Sequence, residues 1–139
     1  MQNFDILLQT LKQITTLEAH EEQLFLNAFK PYKLKKNEHF LQATEVCTKL
    51  VFLCKGLVRY YVFRNDEEAT LEFTKEGEFV ADYGSFISKE PSIQNIQALE
   101  DCEFLVIDYE ELQKLYKTSR NANLLGRLII EHRFIIMVN

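Results

Sequence analysis

Residues 50–64 read LVFLCKGLVRYYVFR, and this stretch carries the clearest structural signal in the sequence. Two runs of β-branched, aromatic and aliphatic residues flank the pair Lys55-Gly56. Such runs favour extended strands, and a glycine between them accepts the positive φ that tight turns require. The stretch therefore predicts a β-hairpin, with strands over residues 50–54 and 57–64.

The same period of two continues on both sides of this hairpin. Short apolar runs alternate with turn-forming pairs such as Asn65-Asp66 and Glu76-Gly77. Eight short strands at a spacing of about ten residues predict a mainly β domain, either a closed β-roll or a double-stranded β-helix (jelly roll). The eight candidate strands span residues 32–35, 38–42, 50–54, 57–64, 69–74, 78–82, 93–99 and 103–107.

Helices are predicted on both sides of the β region. In residues 4–30, apolar side chains recur every three or four positions, with a break at Thr15-Thr16, where Thr16 is the candidate cap of a second helix. Pro31 ends this helical segment. Helical spacing returns over residues 109–116 and then in a long helix over 121–139. The predicted organisation is N-terminal helices in 1–31, a β-roll in 32–108, and a short and a long helix in 109–139.

The long C-terminal helix has an apolar seam with the spacing of a coiled coil. Residues that recur every three or four positions define this seam. Other apolar residues cover much of the remaining circumference, so the helix needs burial on two sides. We expect a homodimer through this helix; the alternative is a helix wedged wholly inside one subunit. The predicted interface residues are Leu125, Leu128, His132, Ile135 and Asn139.

Composition and charge exclude several classes of protein. The 139 residues are 47% hydrophobic and 27% charged, as in ordinary globular domains. The net charge is −5 and no basic patch is visible in the sequence, so these residues are not expected to bind nucleic acid by themselves. No apolar run reaches the length of a membrane span, and no secretory signal opens the chain. Cys47, Cys54 and Cys102 are odd in number and lack CxxC spacing, which indicates reduced, buried thiols in a cytoplasmic protein.

The order of elements, together with three segments, resembles the N-terminal sensor domain of Crp/Fnr family transcription regulators, which has a cyclic-nucleotide-binding fold. LVFLCKGLVRYYVFR (50–64) is similar to the family's strand–Lys-Gly–strand hairpin, and GEFVADYGSF (77–86) to the stretch leading into its phosphate-binding cassette. PSIQNIQALEDCEFLVIDYEELQKL (91–115) is similar to the strands and helix after the cassette.

The resemblance implies an allosteric regulator, in which an effector in the cassette shifts the long helices of a dimer. It also implies a winged helix-turn-helix domain after the long helix, through which the parent protein would contact DNA. No such segment occurs before Asn139, where the long helix ends without a C-capping signal. We therefore expect a sensor domain trimmed from its parent; a stand-alone interaction module of the same fold is the alternative.

The resemblance also identifies the ligand site. Family members that bind cyclic AMP carry a Glu for the ribose hydroxyl and, about ten residues later, an Arg for the phosphate. Asp82 and Ser92 stand at these two positions. Serine cannot supply the charge of a guanidinium, so we expect that cyclic AMP is not bound in the usual way. Lys89 and Arg59 are the candidate replacement cations. The candidate ligand-binding residues are Phe73, Asp82, Tyr83, Gly84, Ser85, Ser92, Ile93 and Gln94.

No catalytic or metal site is predicted. An iron–sulfur cluster needs four closely spaced thiolates, and the chain has three scattered cysteines. A cupin-like metal centre needs converging histidines, whereas His20, His39 and His132 fall in three different predicted elements. Haem ligation through His20 or His39 stays open. The sequence favours a protein that is not an enzyme, with no cofactor beyond a cyclic nucleotide or other small effector.

Overall fold

The computed structural model describes residues 2–138, with side chains over residues 2–131. Eight strands lie between an N-terminal helix pair and a C-terminal helix pair, and a short helix interrupts the strand series. The elements are α1 (Gln2–Ile14), α2 (Ala19–Ala28), β1 (Lys30–Leu34), β2 (His39–Leu41), β3 (Lys49–Lys55), β4 (Leu57–Arg64), β5 (Glu67–Lys75), β6 (Phe79–Val80), α3 (Tyr83–Ser88), β7 (Asn95–Ala98), β8 (Cys102–Asp108), α4 (Tyr109–Thr118) and α5 (Arg120–Val138).

The strands form two four-stranded sheets, ordered β1-β8-β3-β6 and β2-β7-β4-β5, with antiparallel pairing throughout. Both sheets contribute to one hydrophobic core, in which Phe52 and Phe104 of the first sheet and Val58 and Ile96 of the second are fully or almost fully buried. The predicted mainly β jelly roll with flanking helices is confirmed. Each predicted strand is present, and β4 has the predicted ends.

The turn between β3 and β4 depends on Gly56. Its φ of 115° lies in the region that favours glycine. A Cβ at this position would lie 3.0 Å from the backbone oxygen of Asp101 and 3.0 Å from Cα of Cys102. The hairpin can therefore pack closely against the segment that leads into β8 only because residue 56 has no side chain.

The start of α2 differs from the sequence prediction. Thr16 was the expected cap, but the N-cap residue is Glu18, whose side chain accepts from the backbone of Glu21 while the Glu21 side chain accepts from the backbone N–H of Glu18 at 3.1 Å. This reciprocal pair is a capping box, which satisfies two backbone donors that a lone threonine would not. The correction moves the cap, and with it the helix start, two residues towards the C-terminus.

The buried carboxylate of Glu21 joins α2 to the start of α5. It accepts hydrogen bonds from the Ser119 hydroxyl at 2.6 Å, the Asn121 side-chain amide at 2.7 Å and the Asn121 backbone N–H at 3.2 Å. Burial by itself raises the pKa of Glu21, but these hydrogen bonds and one from the Glu18 backbone outweigh it and lower the pKa from 4.5 to about 2. An anionic Glu21 therefore anchors the long helix to the N-terminal helices.

The predicted dimer seam on α5 is only partly within the described side chains. Leu125 is 2% exposed in the single chain and belongs to the hydrophobic core, so its side chain is already packed within its own subunit. Leu128 is half-buried. The side chains of His132 and Ile135, and Asn139 altogether, lie outside the described residues.

Two further sequence predictions concern cysteines and membrane spans. Cys47, Cys54 and Cys102 are all buried and free, as expected. Burial raises the pKa of the Cys54 thiol to about 11, as does the nearby charge of Glu103, so this thiol is a weak nucleophile. Within residues 2–138, no helix combines the length and the apolar character that a bilayer span needs.

Candidate ligand-binding site

A cavity of about 300 Å³ lies where the β-roll, α3 and the C-terminal helices meet. This volume is at the lower end of the range for small-molecule pockets. The cavity draws side chains from four strands and three helices, so its contents would touch both the β-roll and the long helix. Its lining comprises Leu50, Tyr60, Glu72, Phe79, Ala81, Asp82, Tyr83, Gly84, Gln94, Tyr116, Gly126, Ile129 and Ile130.

Asp82 caps the short helix α3 at the edge of this cavity. Its Oδ1 accepts from the backbone N–H of Ser85 at 3.2 Å, and its Oδ2 accepts from the hydroxyl of Ser92. The N-terminus of α3 is thus already capped by a carboxylate of the chain itself. Asp82 and Ser92, matched to the ligand-binding pair of the resembling family, bind each other here.

Ser85 and Ser92 are buried. They hold together residues 82–92, called the cassette below, rather than line the cavity. The Ser85 hydroxyl donates to the carbonyl of Glu90 at 2.6 Å and accepts from the backbone N–H of Cys47 at 2.9 Å. The Ser92 hydroxyl also accepts from the backbone N–H of Gln94 at 2.9 Å. These bonds explain why serine suits both positions.

Of the eight candidate residues, Asp82, Tyr83, Gly84 and Gln94 come together at the cavity, and Phe73 and Ile93 do not. Phe73 is 62% exposed and Ile93 is 79% exposed. Side chains on a strand alternate between its two faces, and on β5 it is Glu72, the neighbour of Phe73, that lines the cavity. Glu72 was missed because a carboxylate on the inner face of a strand contradicts the usual apolar-inside pattern.

Both candidate replacement cations lie outside the cavity lining. The guanidinium of Arg59 donates to Gln97 Oε1 at 3.0 and 2.8 Å and to Glu68 at 2.6 Å, and it stacks 4.0 Å from the ring centre of Tyr61. Lys89 ends α3 with a φ of 64°, and its ammonium lies 4.8 Å from the ring centre of Tyr109. The guanidinium of Arg59 is therefore bound to groups of the chain itself. It lies on the face of β4 opposite to Tyr60, which points inward.

The two histidines for which haem ligation stayed open also lie outside the cavity lining. The ring of His39 is hydrogen-bonded to the Tyr61 hydroxyl at 2.7 Å, and His20 lies 3.4 Å from the carboxylate of Glu18. Burial and the charge of Arg59 lower the pKa of His39. Among the described residues, no three His, Cys, Asp or Glu side chains converge as a metal site requires.

Tyr116 of α4 bridges the cassette and α5. Its hydroxyl is hydrogen-bonded to that of Tyr83, and burial raises the pKa of both phenols. The ring lies across Gly126, where a Cβ would come within 2.8 Å of the ring carbon Cζ. This contact was not predicted from the sequence, although a glycine in the interior of a helix costs about 1 kcal/mol relative to alanine and indicates close packing.

The described residues form an eight-stranded jelly roll with a cavity of small-molecule size against its flanking helices. A family model, the cyclic nucleotide-binding domain, matches residues 31–119. The chain therefore belongs to the cyclic nucleotide-binding domain family.

Solved structures with the same fold include three bacterial proteins. A cyclic nucleotide-binding domain from Methylobacillus flagellatus aligns with a TM-score of 0.83 and 17% identity, over 96% of this chain and 79% of that one. The catabolite activator protein of Thermus thermophilus aligns at 0.76 and 19% identity, over 90% of this chain and 58% of that one. The c-di-GMP responsive global regulator CLP of Xanthomonas campestris aligns at 0.72 and 23% identity, over 87% and 61%.

At these identities the likeness concerns the fold alone. The chain spans about three-fifths of the length of the two regulators. A comparison with curated protein sequences finds no significant match.

Proposed function

We propose that this chain is the effector-sensing domain of a Crp/Fnr-like bacterial transcription regulator that acts in the cytoplasm. The observation that carries the proposal is the position of the cavity, which is bounded by the cassette on one side and by Gly126, Ile129 and Ile130 of α5 on the other. Two proteins with the same fold, the catabolite activator protein and CLP, are named as regulators.

Tyr116 connects the cavity to α5 through direct contacts. It contacts Tyr83 of the cassette helix through its hydroxyl and Gly126 of α5 through its ring. A ligand shifts the orientation of α5 only if it binds one arrangement of these groups more tightly than another. Displacement of Tyr116 by a ligand would supply such a difference, because ring and helix are in van der Waals contact.

The regulator would work as a homodimer through α5. Leu124 is 38% exposed and Ile130 is 36% exposed, and Leu128 is half-buried on the same helix. Apolar side chains left at the surface of a long helix favour burial against a second copy. DNA contact would come from a winged helix-turn-helix domain that lies outside these 139 residues.

We propose a binding role rather than a catalytic one. His39, which could act as a general base, is instead bonded to Tyr61 and lies outside the cavity lining. Among residues 2–131, the polar groups that line the cavity are carboxylates, phenols and an amide. None of the described ones belongs to a nucleophile–base pair.

A stand-alone interaction module without DNA output is the alternative. The native gene product, tagged at its chromosomal locus, can be tested by chromatin immunoprecipitation. We expect discrete enriched promoters, with an occupancy that changes in a Gly126→Ala variant and stays the same in an Asn123→Ala variant of the same helix. Absence of any enriched site would support the stand-alone module instead.

A further inference from the structure

A second cavity, of about 320 Å³, lies where the end of α2, the first sheet and the start of α4 meet. It is as large as the candidate ligand cavity, and the two have no described lining residue in common. Both apolar side chains and charged side chains of either sign line it. They include Ala28, Val106, Lys30, Lys49, Asp108 and Glu111.

The strand register brings the two lysines and one carboxylate to the same face of the first sheet. Strand β8 lies between β1 and β3. Lys30 of β1 lies opposite Val106, and Lys49 of β3 lies opposite Asp108. Val106 and Asp108 are two residues apart on β8, and side chains with this spacing point to one face of a sheet. The two lysines therefore flank the strand that carries the carboxylate.

Backbone contacts position these charges without neutralising them. Nζ of Lys30 donates to the backbone oxygen of Asn27 at 3.0 Å, and Oδ1 of Asp108 accepts from the backbone N–H of Glu111 at 2.8 Å. Within residues 2–131, no ion pair includes Lys30, Lys49 or Asp108. An ammonium group has three donors and a carboxylate has about four acceptor positions, so each of these groups can still bind a ligand.

We propose that this second cavity binds the zwitterion of an α-amino acid with an aliphatic side chain, independently of the proposed sensing function. Lys30 and Lys49 bind the carboxylate of the amino acid, and Asp108 binds its ammonium group. The aliphatic side chain packs against Ala28 and Val106. A ligand with charge of one sign only leaves the lining groups of the other sign without a partner.

The contacts are individually weak because the charged side chains are exposed. Glu111, the second carboxylate of the lining, also lies 3.4 Å from Nζ of Lys114 on the surface of α4. Exposed ion pairs contribute little each, so a ligand must engage both signs of charge to bind measurably. We expect a millimolar dissociation constant, and a loss of about fivefold when either charged group of the ligand is removed.

Three probes with the same aliphatic body test the proposal: L-leucine, 3-methylbutylamine, which lacks the carboxylate, and 4-methylpentanoate, which lacks the ammonium group. Dissociation constants are measured with the full chain at pH 7 by NMR titration, following the backbone amides of Lys49 and Glu111. L-Leucine should bind about fivefold tighter than either of the other probes. Equal binding of one of them overturns the proposal, and so does failure of L-leucine to bind at tens of millimolar. Shifts confined to Gly84 and Gly126 would place L-leucine in the other cavity and also overturn it.

Two variants assign each charged group of the ligand to its partner. Lys49→Gln should reduce the advantage of L-leucine over 3-methylbutylamine and leave its advantage over 4-methylpentanoate unchanged. Asp108→Asn should have the opposite effect, and since asparagine caps a helix about as well as aspartate, the start of α4 is kept. The controls are Lys55→Gln, at the other exposed end of β3, and Glu110→Gln, an exposed residue of α4 outside the lining. Equal losses in the variants and their controls would contradict the proposal.

Discussion

The hydroxyl of Ser92 donates a hydrogen bond to the carboxylate of Asp82, which in turn caps α3 through the backbone N–H of Ser85. The two positions that the Crp/Fnr resemblance assigns to sugar and phosphate recognition are thus hydrogen-bonded to each other. These contacts join the two ends of the cassette through side chains of the chain itself. Position 92 is therefore the most direct place to change ligand charge preference.

Ser92→Arg should increase the affinity for cyclic AMP by at least about tenfold, because a guanidinium beside Asp82 adds a charge-assisted partner for the phosphate. Isothermal titration calorimetry measures the change. Ser88→Arg, which adds the same charge on the exposed end of α3, is the control. An equal gain in both variants would show a general charge effect and contradict a specific role of position 92.

Gly126→Ala should displace Tyr116 and break its hydrogen bond with Tyr83, because the new Cβ would lie 2.8 Å from Cζ and 3.0 Å from Cε1 of the ring. Alanine favours a helix by about 1 kcal/mol over glycine, yet we expect a net loss of about 1–2 kcal/mol in the free energy of unfolding. Urea denaturation measures it. Asn123→Ala, at an exposed position of the same helix, should stabilise the protein; a gain in both variants would mean that Tyr116 adjusts at no cost.

Glu21→Gln should lower the free energy of unfolding at pH 7 by about 1–3 kcal/mol, since three hydrogen bonds to an anion lose their charged acceptor. The pKa of Glu21 falls from 4.5 to about 2 on folding, so its contribution is complete above pH 4.5 and is lost as the pH falls towards 2. The difference between wild type and variant should therefore shrink over that range. Glu110→Gln, on the surface of α4, is the control; a difference that stays constant down to pH 2 would argue against an ionised Glu21.

Arg59→Gln should raise the pKa of His39. Burial and the charge of Arg59 lower this pKa, while Glu68 and Glu45 raise it, so removal of the guanidinium leaves the two carboxylates without opposition. NMR titration of the His39 ring protons measures the shift. Arg64→Gln, at the exposed end of β4, is the control and should leave the pKa of His39 as it is in the wild type. A fall of the His39 pKa in Arg59→Gln would contradict the inferred effect of the Arg59 charge.

Leu128→Asp should convert a dimer into a monomer without loss of secondary structure, because the half-buried side chain lies on the proposed α5 interface. Sedimentation equilibrium and circular dichroism measure both properties. Leu125→Asp should unfold the protein instead, since Leu125 is buried within its own subunit. A wild-type chain that sediments as a monomer at micromolar concentration would refute the dimer.

The sequence by itself determined the order of elements, because local signals suffice for that. The period of two in residues 50–64, the glycine at position 56 and the helical spacing after Asp108 predicted the jelly roll and its flanking helices. The pair Asp82 and Ser92 was identified through the resemblance to the Crp/Fnr family and not from local signals. Hairpin turns and amphipathic periods depend on residues close together in the chain, so no three-dimensional information was needed for them.

Only the tertiary structure decided which side chains share the cavity. Glu72, Tyr116 and Gly126 come from a strand and two helices far apart in sequence, and they meet because the C-terminal helices pack back onto the β-roll. Phe73 and Ile93 carry the apolar character expected of a pocket, yet they face outward because adjacent residues of a strand point to opposite sides. Likewise, the commitment of Ser92 to Asp82 and of Arg59 to Glu68 depends on distances across the fold, which no local pattern encodes.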